Sequence, residues 1–366
     1  MKVKLGDIFE ISSGGTPSKS CPEYYGGDVP WVKTGDLKSE YIYGVADFIT
    51  EDGLRNSSAK MYEEDTVLMA MYGATIGATS ILKISACTNQ ACAAFRRNDK
   101  VIPEYLYYFL KSQKEKFVKD GVGGAQPNIS AGYLKKVEME LLLIKEQRIV
   151  VDILDKITNI INRRNQELIA LDELIKARFV EMFGDNDKKV AISSLCDVSG
   201  GYSFKSEDIS SKGFIKILHI GNVYLDDVNW ETTNYLPKGF DNVYSRFLLN
   251  EGDIVIALTR PIIQSLGNVK ACIVKASDTP CLLNQRVGRI VSKKNVDVNL
   301  KFIYGCLMTD DFTRYVESCC IGCSQPNIST KDIENYMIPD ASYEKQMDFV
   351  KFKEQVDKSK VVEKNI

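Results

Sequence analysis

The chain has 366 residues, 44% hydrophobic and 26% charged, with a formal net charge of −2. That length suits two domains with separate cores, and the Leu- and Ile-rich stretches are too broken by charge to span a membrane. A protein that wraps nucleic acid unaided is usually more basic, so any DNA contact must run through local patches or be shared with partners.

The opening "MKVKLGDIFE" lacks the apolar core of an export signal, so a cytoplasmic protein with reduced thiols is expected from its ten cysteines. The first β-rich stretch carries "SGGTPSKS" (13–20), "YYGGDVPW" and "TGDL", punctuated by turn formers. "GGTPSKS" is not a phosphate loop: the positions that need glycine before Lys19 hold Ser18 and Ser13. Its polar turns offer Thr16, Ser18, Lys19, Ser20, Lys33 and Thr34 beside Tyr24, Tyr25 and Trp31. "MYGATIG" (71–77) adds Tyr72 and Thr75. A short helix is predicted at "PEYLYYFLKSQKEKFVKD", then "GGAQPNIS" (123–130) and the strand-like "VEMELLLI".

A long helix follows. No Pro or Gly occurs between Lys145 and Phe183, and Gly184 marks the stop. Val150, Leu154, Ile157, Ile161, Arg164, Leu168, Leu171, Ile175, Arg178 and Met182 alternate in steps of four and three, a heptad seam on a rod about 60 Å long. Arg164 and Arg178 either snorkel at the edge of the stripe or face a partner or phosphate.

Beyond Gly184 the pattern begins again. "SGGYSFKS" (199–206) offers Tyr202, Lys205 and Ser206; "LTRPIIQSLG" (258–267) offers Arg260 and Gln264. "NEGDIVIA" repeats "EEDTVLMA", "LNQRVGRIVS" repeats "TNQACAAFRR", "GCSQPNIS" repeats "GGAQPNIS", and "EKQMDFVKF" repeats "KEQRIVVDI". Each of these candidate readers also has a plain reading as a solvated turn. The repeated Gln-Pro-Asn-Ile-Ser is expected to be structural: Pro fixes a turn, Asn128 and Asn327 close it through their side chains, and Ser329 with Asp332 caps a helix. His219, the single histidine, lies in the strand-like "GFIKILHIGNV" as a core or edge residue. Cys320 and Cys323 have metal-like spacing without a second pair, so no metal site is expected.

This order predicts an α/β (α+β) fold of two duplicated β-rich domains separated by long helices. The boundaries are 1–144, a helical spacer 145–184, 185–343, and a short helix 344–366 with Phe349, Phe352 and Val356 on one face.

The opening "SSGGTPSKSCPEYYGGDVPWVKTGDL", the paired "NQ" and "QPNIS" blocks, and "KEQRIVVDILDKI" running into "LIALDELIKARFVEMFG" resemble the DNA-specificity subunits of Type I restriction–modification systems over essentially the whole chain. The resemblance implies a non-catalytic subunit that reads a bipartite double-stranded DNA site, one half per target-recognition domain. It implies an antiparallel coiled coil that sets the gap. It also implies two methyltransferase subunits carrying S-adenosylmethionine, and restriction–motor subunits using ATP and Mg. The C-terminal helix departs from the pattern, with no counterpart of "ELIALDELIKARFVEMFG". The residues agree on the missing chemistry. No Asn-Pro-Pro-aromatic run occurs, no Gly-rich cofactor loop joins a strand to a helix, and "PDASYEK" lacks nuclease spacing. The rival readings are a coiled-coil adaptor with two ligand-binding β domains, and an enzyme built on the cysteines and His219.

Overall fold

The computed structural model describes residues 1–121, 128–320 and 326–364, in two compact units, Met1–Arg163 and Arg164–Ile366. Gln126, Pro127, Gln325 and Cys323 lie outside the described residues.

In the first unit the principal sheet runs, in spatial order, Ile11–Ser13, Cys92–Phe95, Val67–Ala70, Thr79–Leu82 and Tyr41–Ile42. The strands Val67–Ala70 and Cys92–Phe95 are buried throughout, which is why they read as unbroken apolar runs rather than alternating ones. Alternate residues feed two cores. Val67, Met69, Ala93 and Phe95 face Leu106, Leu110 and Phe117 of the helical side. Leu68, Ala70, Cys92 and Ala94 face Val32, Ile42 and Tyr62 of the other. A second sheet orders Phe48–Ile49, Tyr25–Val32, Ala86–Thr88 and Met61–Tyr62, with Trp31 parallel to Cys87. Trp31 is a core residue whose Nε1–H donates to Gly15 O at 3.1 Å.

The second unit repeats the plan. Cys196–Gly200, Val287–Ser292, Ile254–Ala257 and Ala271–Ile273 form one sheet; Asn234–Leu236, Ile215–Leu218 and Cys281–Leu283 form another, again with a parallel pair. Ile254, Ile256 and Ile290 enter one core while Val255, Cys272 and Val287 enter the next. Even the left-handed residue before the central strand recurs, as Asp65 at φ 64° and Gly252 at φ 89°. The strands correct one match made by letter. Ser13 pairs with Ala93 and Gly200 with Gly288, so Gly14 corresponds to Gly201, not Gly200. These are the glycines that close approach requires: a Cβ would lie 1.9 Å from Thr88 O at Gly14 and 2.2 Å from Asn284 O at Gly201.

The doubled motif works through its backbone. Asn128 bridges Tyr72 and Asn327 bridges Thr259, and the amides of Ile129 and Ile328 donate to Met71 O at 3.0 Å and Leu258 O at 2.9 Å. Both isoleucines are buried. Each motif thus straps a helix onto the loop that follows the central strand. Among the described residues the contacts of Asn128 and Asn327 are these main-chain bonds, not the side-chain closure expected of them. The serines cap: Ser130 Oγ accepts from the Tyr133 amide and Ser329 Oγ from the Asp332 amide, each at 3.1 Å, with Asp332 reaching back to the Ser329 amide at 2.9 Å. Ser329→Ala should therefore cost about 1 kcal/mol of second-unit stability, measurable by urea titration.

The central helix spans Ile144–Phe183 without interruption. In the first unit Val150 and Leu154 are half-buried, while Ile157 and Ile161 are about half exposed at 47% and 54%. In the second unit Leu168, Leu171, Ile175 and Met182 are half-buried. The C-terminal helix, Tyr343–Lys364, runs antiparallel to this second-unit stretch. Phe179 and Phe183 pack on Phe349 at 5.3 and 5.9 Å, the Arg178 guanidinium lies 5.6 Å from the Phe352 ring, and Lys360 reaches Asp172 at 2.5 Å. Arg164 and Arg178 pair with Glu167 and Glu181 on their own helix, each at 2.8 Å. The heptad template passes over Phe179 and Phe183, the most buried residues of the helix end. There the helix sinks into a domain core, and a core takes a wider face than a two-helix seam.

Candidate nucleic-acid interface

One end of the principal sheet in each unit gathers most of the predicted polar loops. Because neighbouring strands are antiparallel, the chain leaves Ile11–Ser13 and Val67–Ala70 where it enters Cys92–Phe95. The turn 14–20, the loop 71–78 and the turn 89–91 therefore meet. Thr16 Oγ1 donates to Gln90 Oε1, and the Met71 amide donates to Ala91 O at 2.8 Å. The end of Tyr25–Val32 arrives at the same place, its Val32 O accepting from the Asn89 amide at 3.0 Å, which brings Lys33 and Thr34 there.

These candidates are not equally free. Lys33 Nζ is held by Asp47 at 2.7 Å and sits 5.0 Å from the Trp31 ring, so it is largely spoken for. Tyr25 OH donates to Pro17 O at 2.6 Å, and Ser18 and Ser20 bond each other at 2.7 Å. Thr75 Oγ1 donates to Tyr72 O at 3.0 Å, shaping the loop from which the Tyr72 ring stands exposed. Lys19 is exposed.

The second unit builds the same end with other side chains. Tyr202, partly exposed, stacks among Phe204, Tyr244 and Phe247 at 5.1, 4.7 and 5.4 Å. Lys205 pairs loosely with Glu207 at 3.4 Å on open surface, a contact worth little in water. Ser206 opens a short 3-10 turn. The segment 258–270 is longer than 71–78 and folds its own hairpin, Ile262–Ile263 against Asn268–Val269, with Gln264 exposed at its tip and Arg260 at its base.

Matching backbone hydrogen bonds fix which residues are equivalent. The Gly15 amide donates to Thr88 O at 2.9 Å and the Tyr202 amide to Leu283 O at 3.0 Å. Ala91 O accepts from Met71, and Arg286 O from Leu258 at 3.0 Å. The Lys33 amide is held by Asp36 Oδ2 at 2.7 Å, and the His219 amide by Asn222 Oδ1 at 2.9 Å. The frame is thus constant while Gly15 becomes Tyr202, Lys33 becomes His219, Gly73 becomes Arg260 and Ala91 becomes Arg286. His219 lies just past its strand, and burial lowers its pKa, so it is neutral at pH 7. Gln90, Gln285 and Arg286, all exposed here, were not among the expected readers. The doubled "NQ" block, polar residues at the entry to a buried strand, is the sequence signal for them.

Among the described residues six of the cysteines are buried. Burial pushes the thiols of Cys87, Cys92, Cys196, Cys272 and Cys281 up to about 12. Among the described residues no cluster of potential ligands could hold a metal ion, and no helix is long and apolar enough to cross a membrane. Exposed guanidinium, amide and hydroxyl groups on rigid strand ends suit hydrogen bonding to base edges and phosphates.

Two copies of an α/β recognition frame joined by a continuous helix define the class of protein. The chain belongs to the family of Type I restriction modification DNA specificity domains, whose model matches residues 1–170 and 185–366. It is 27% identical over 363 residues to the Type I restriction enzyme MjaVIII specificity subunit of Methanocaldococcus jannaschii, covering 94% of this chain and 83% of that protein. Over 150 residues, 40% of this chain and 24% of the relative, it is 33% identical to the EcoAI specificity subunit of Escherichia coli. Its fold is similar to the crystal structure of the Type I S subunit from M. genitalium, with a TM-score of 0.54 and 16% identity, covering 100% of this chain and 91% of that one. A chain from a study of assembly and conformational transition in the type I R-M system gives 0.60 at 15% identity, covering 99% and 91%.

Proposed function

We propose that the chain is the non-catalytic DNA-specificity subunit of a Type I restriction–modification complex in the cytoplasm, with each unit reading one half of a bipartite duplex site. The observation that carries this is the pair of equivalent sheet ends, held by the same backbone bonds but displaying different side chains. A constant frame with variable tips is what two half-sites of different sequence need. On this reading residues 1–144 and 185–343 are the recognition domains, and 145–184 with 344–366 set their spacing. Two methyltransferase subunits, supplying S-adenosylmethionine, and restriction–motor subunits, supplying ATP and Mg chemistry, join as partners; this chain itself needs no cofactor. No observation favours the adaptor reading.

The test replaces residues 1–144 by the corresponding domain of another specificity subunit and selects bound duplexes from a randomised pool. One half-site should change and the other persist, with affinity falling steeply as salt rises. If both half-sites survive the exchange, or the native chain with its modification subunits selects no bipartite sequence, the reading fails.

A further inference from the structure

Four non-glycine residues hold a left-handed backbone among the described residues: Asp65, Asp226, Arg260 and Asn295. Three are Asp or Asn, whose short polar side chains tolerate this region; arginine has no such accommodation. Arg260 sits at φ 47° and directly precedes Pro261, which further disfavours a helical backbone at that residue. Its counterpart in the first unit, one residue past the bridge to the doubled motif, is Gly73 at φ 64°. A Cβ built on Gly73 meets nothing within 4 Å, so glycine there answers a dihedral need and not a lack of room. The second unit meets the same dihedral need with arginine.

The surroundings hold that strained conformation from both sides. The Arg260 amide donates to Pro326 O at 2.8 Å, and the carbonyl of buried Pro261 accepts from the Lys270 amide at 2.6 Å. The side chain is exposed, and among the described residues its guanidinium has no hydrogen bond or ion pair. Strain kept without an internal reward marks a residue retained for an external contact. Exposed Arg286 joins it, its carbonyl bonded to the Leu258 amide two residues before Arg260.

Resting on the reading above, we infer that Arg260 is a specificity-determining residue for the second half-site, its planar fork reading the edge of a base in the major groove. A planar, forked donor suits a pair of acceptors such as guanine O6 and N7. The first unit, with Gly73 in the same place, reads nothing from this position.

The test uses the full chain purified with its modification subunits and a duplex pool randomised across both half-sites. Arg260→Gly should relax selection at one or two adjacent positions of the second half-site only. Affinity for the native site should fall about 5- to 150-fold. Its thermal midpoint should stay level or rise, since glycine relieves the dihedral. Arg260→Lys keeps the charge but not the fork, and should relax the same positions. Equal weakening on all sequences with rescue by lysine would make Arg260 a phosphate clamp and overturn the inference. So would unchanged selection by both variants, or a fall in midpoint with loss of both half-sites. A native complex that selects no bipartite site overturns the functional reading and this inference together. A native bipartite preference with an unaffected Arg260→Gly variant overturns the inference alone.

Discussion

Gln147→Ala should lower the thermal midpoint of the first unit by about 10 °C, a loss of about 2–4 kcal/mol. Gln147 has no exposed surface, and its amide makes three bonds. Oε1 accepts from the Ile102 amide at 2.9 Å, while Nε2 donates to Lys100 O at 2.8 Å and Leu142 O at 2.9 Å. It stitches the first turn of the central helix to the N-cap of the helix Pro103–Ser112. Alanine leaves three main-chain groups without partners in a place water cannot easily serve, and each costs its desolvation. Gln147→Glu keeps the acceptor and the size but loses both donors and buries a charge, so it should be no milder at neutral pH. The equivalent Gln346 accepts from the Asn299 amide and donates to Ala341 O, each at 2.9 Å. With fewer bonds, Gln346→Ala should cost less, and it should act on the second unit alone. Calorimetry of the three variants decides: a shift under about 2 °C in Gln147→Ala means that the amide is not the stitch described.

That glutamine shows what is readable in the letters and what is not. The repeat of "KEQ" and "EKQ" marks both positions, yet burial cannot be inferred for a glutamine in a charged stretch, because most glutamines are exposed. The long helix is legible since forty residues without a breaker leave little alternative, and the all-buried strands are legible as apolar runs. The end of the helix is not: Phe179 and Phe183 follow a core rather than a seam. At the candidate interface the loops could be found from their turn residues, but the equivalences Gly73 to Arg260 and Ala91 to Arg286 need hydrogen bonds that no alignment by letter supplies. The one-residue slip at Gly14 and Gly201 is the same lesson, since either glycine of each pair satisfies the letters and only the strand register chooses.

Arg289→Ala should destabilise the second unit by about 3–5 kcal/mol, and adding Asp253→Thr should return most of that loss. Arg289 Nε lies 2.8 Å from Asp253 Oδ2 with both side chains nearly buried, and Nη1 donates to Leu248 O at 3.1 Å. Nε points off the line of a good hydrogen bond, so the pair is held chiefly by charge. Removing the arginine strands a carboxylate in the core. Removing both removes the problem, and the first unit shows the result: its equivalent positions are Thr66, just before the strand Val67–Ala70, and Ala94 on the strand paired with it, both buried. The sign with pH follows from Asp253, whose pKa is raised because burial outweighs the help of the Asn250 amide and Arg289. A raised carboxyl pKa means that the folded state binds the proton more tightly. Its contribution is therefore greatest in acid and is lost as pH climbs from the ordinary carboxylate range through the raised value. In Arg289→Ala that loss should deepen, because the carboxylate ionises without its cation; in the double variant it should vanish. Urea titrations of the four chains at pH 4 and pH 7 measure both the coupling and its pH dependence. Additive losses would show that the two side chains stabilise the unit independently rather than by compensating each other.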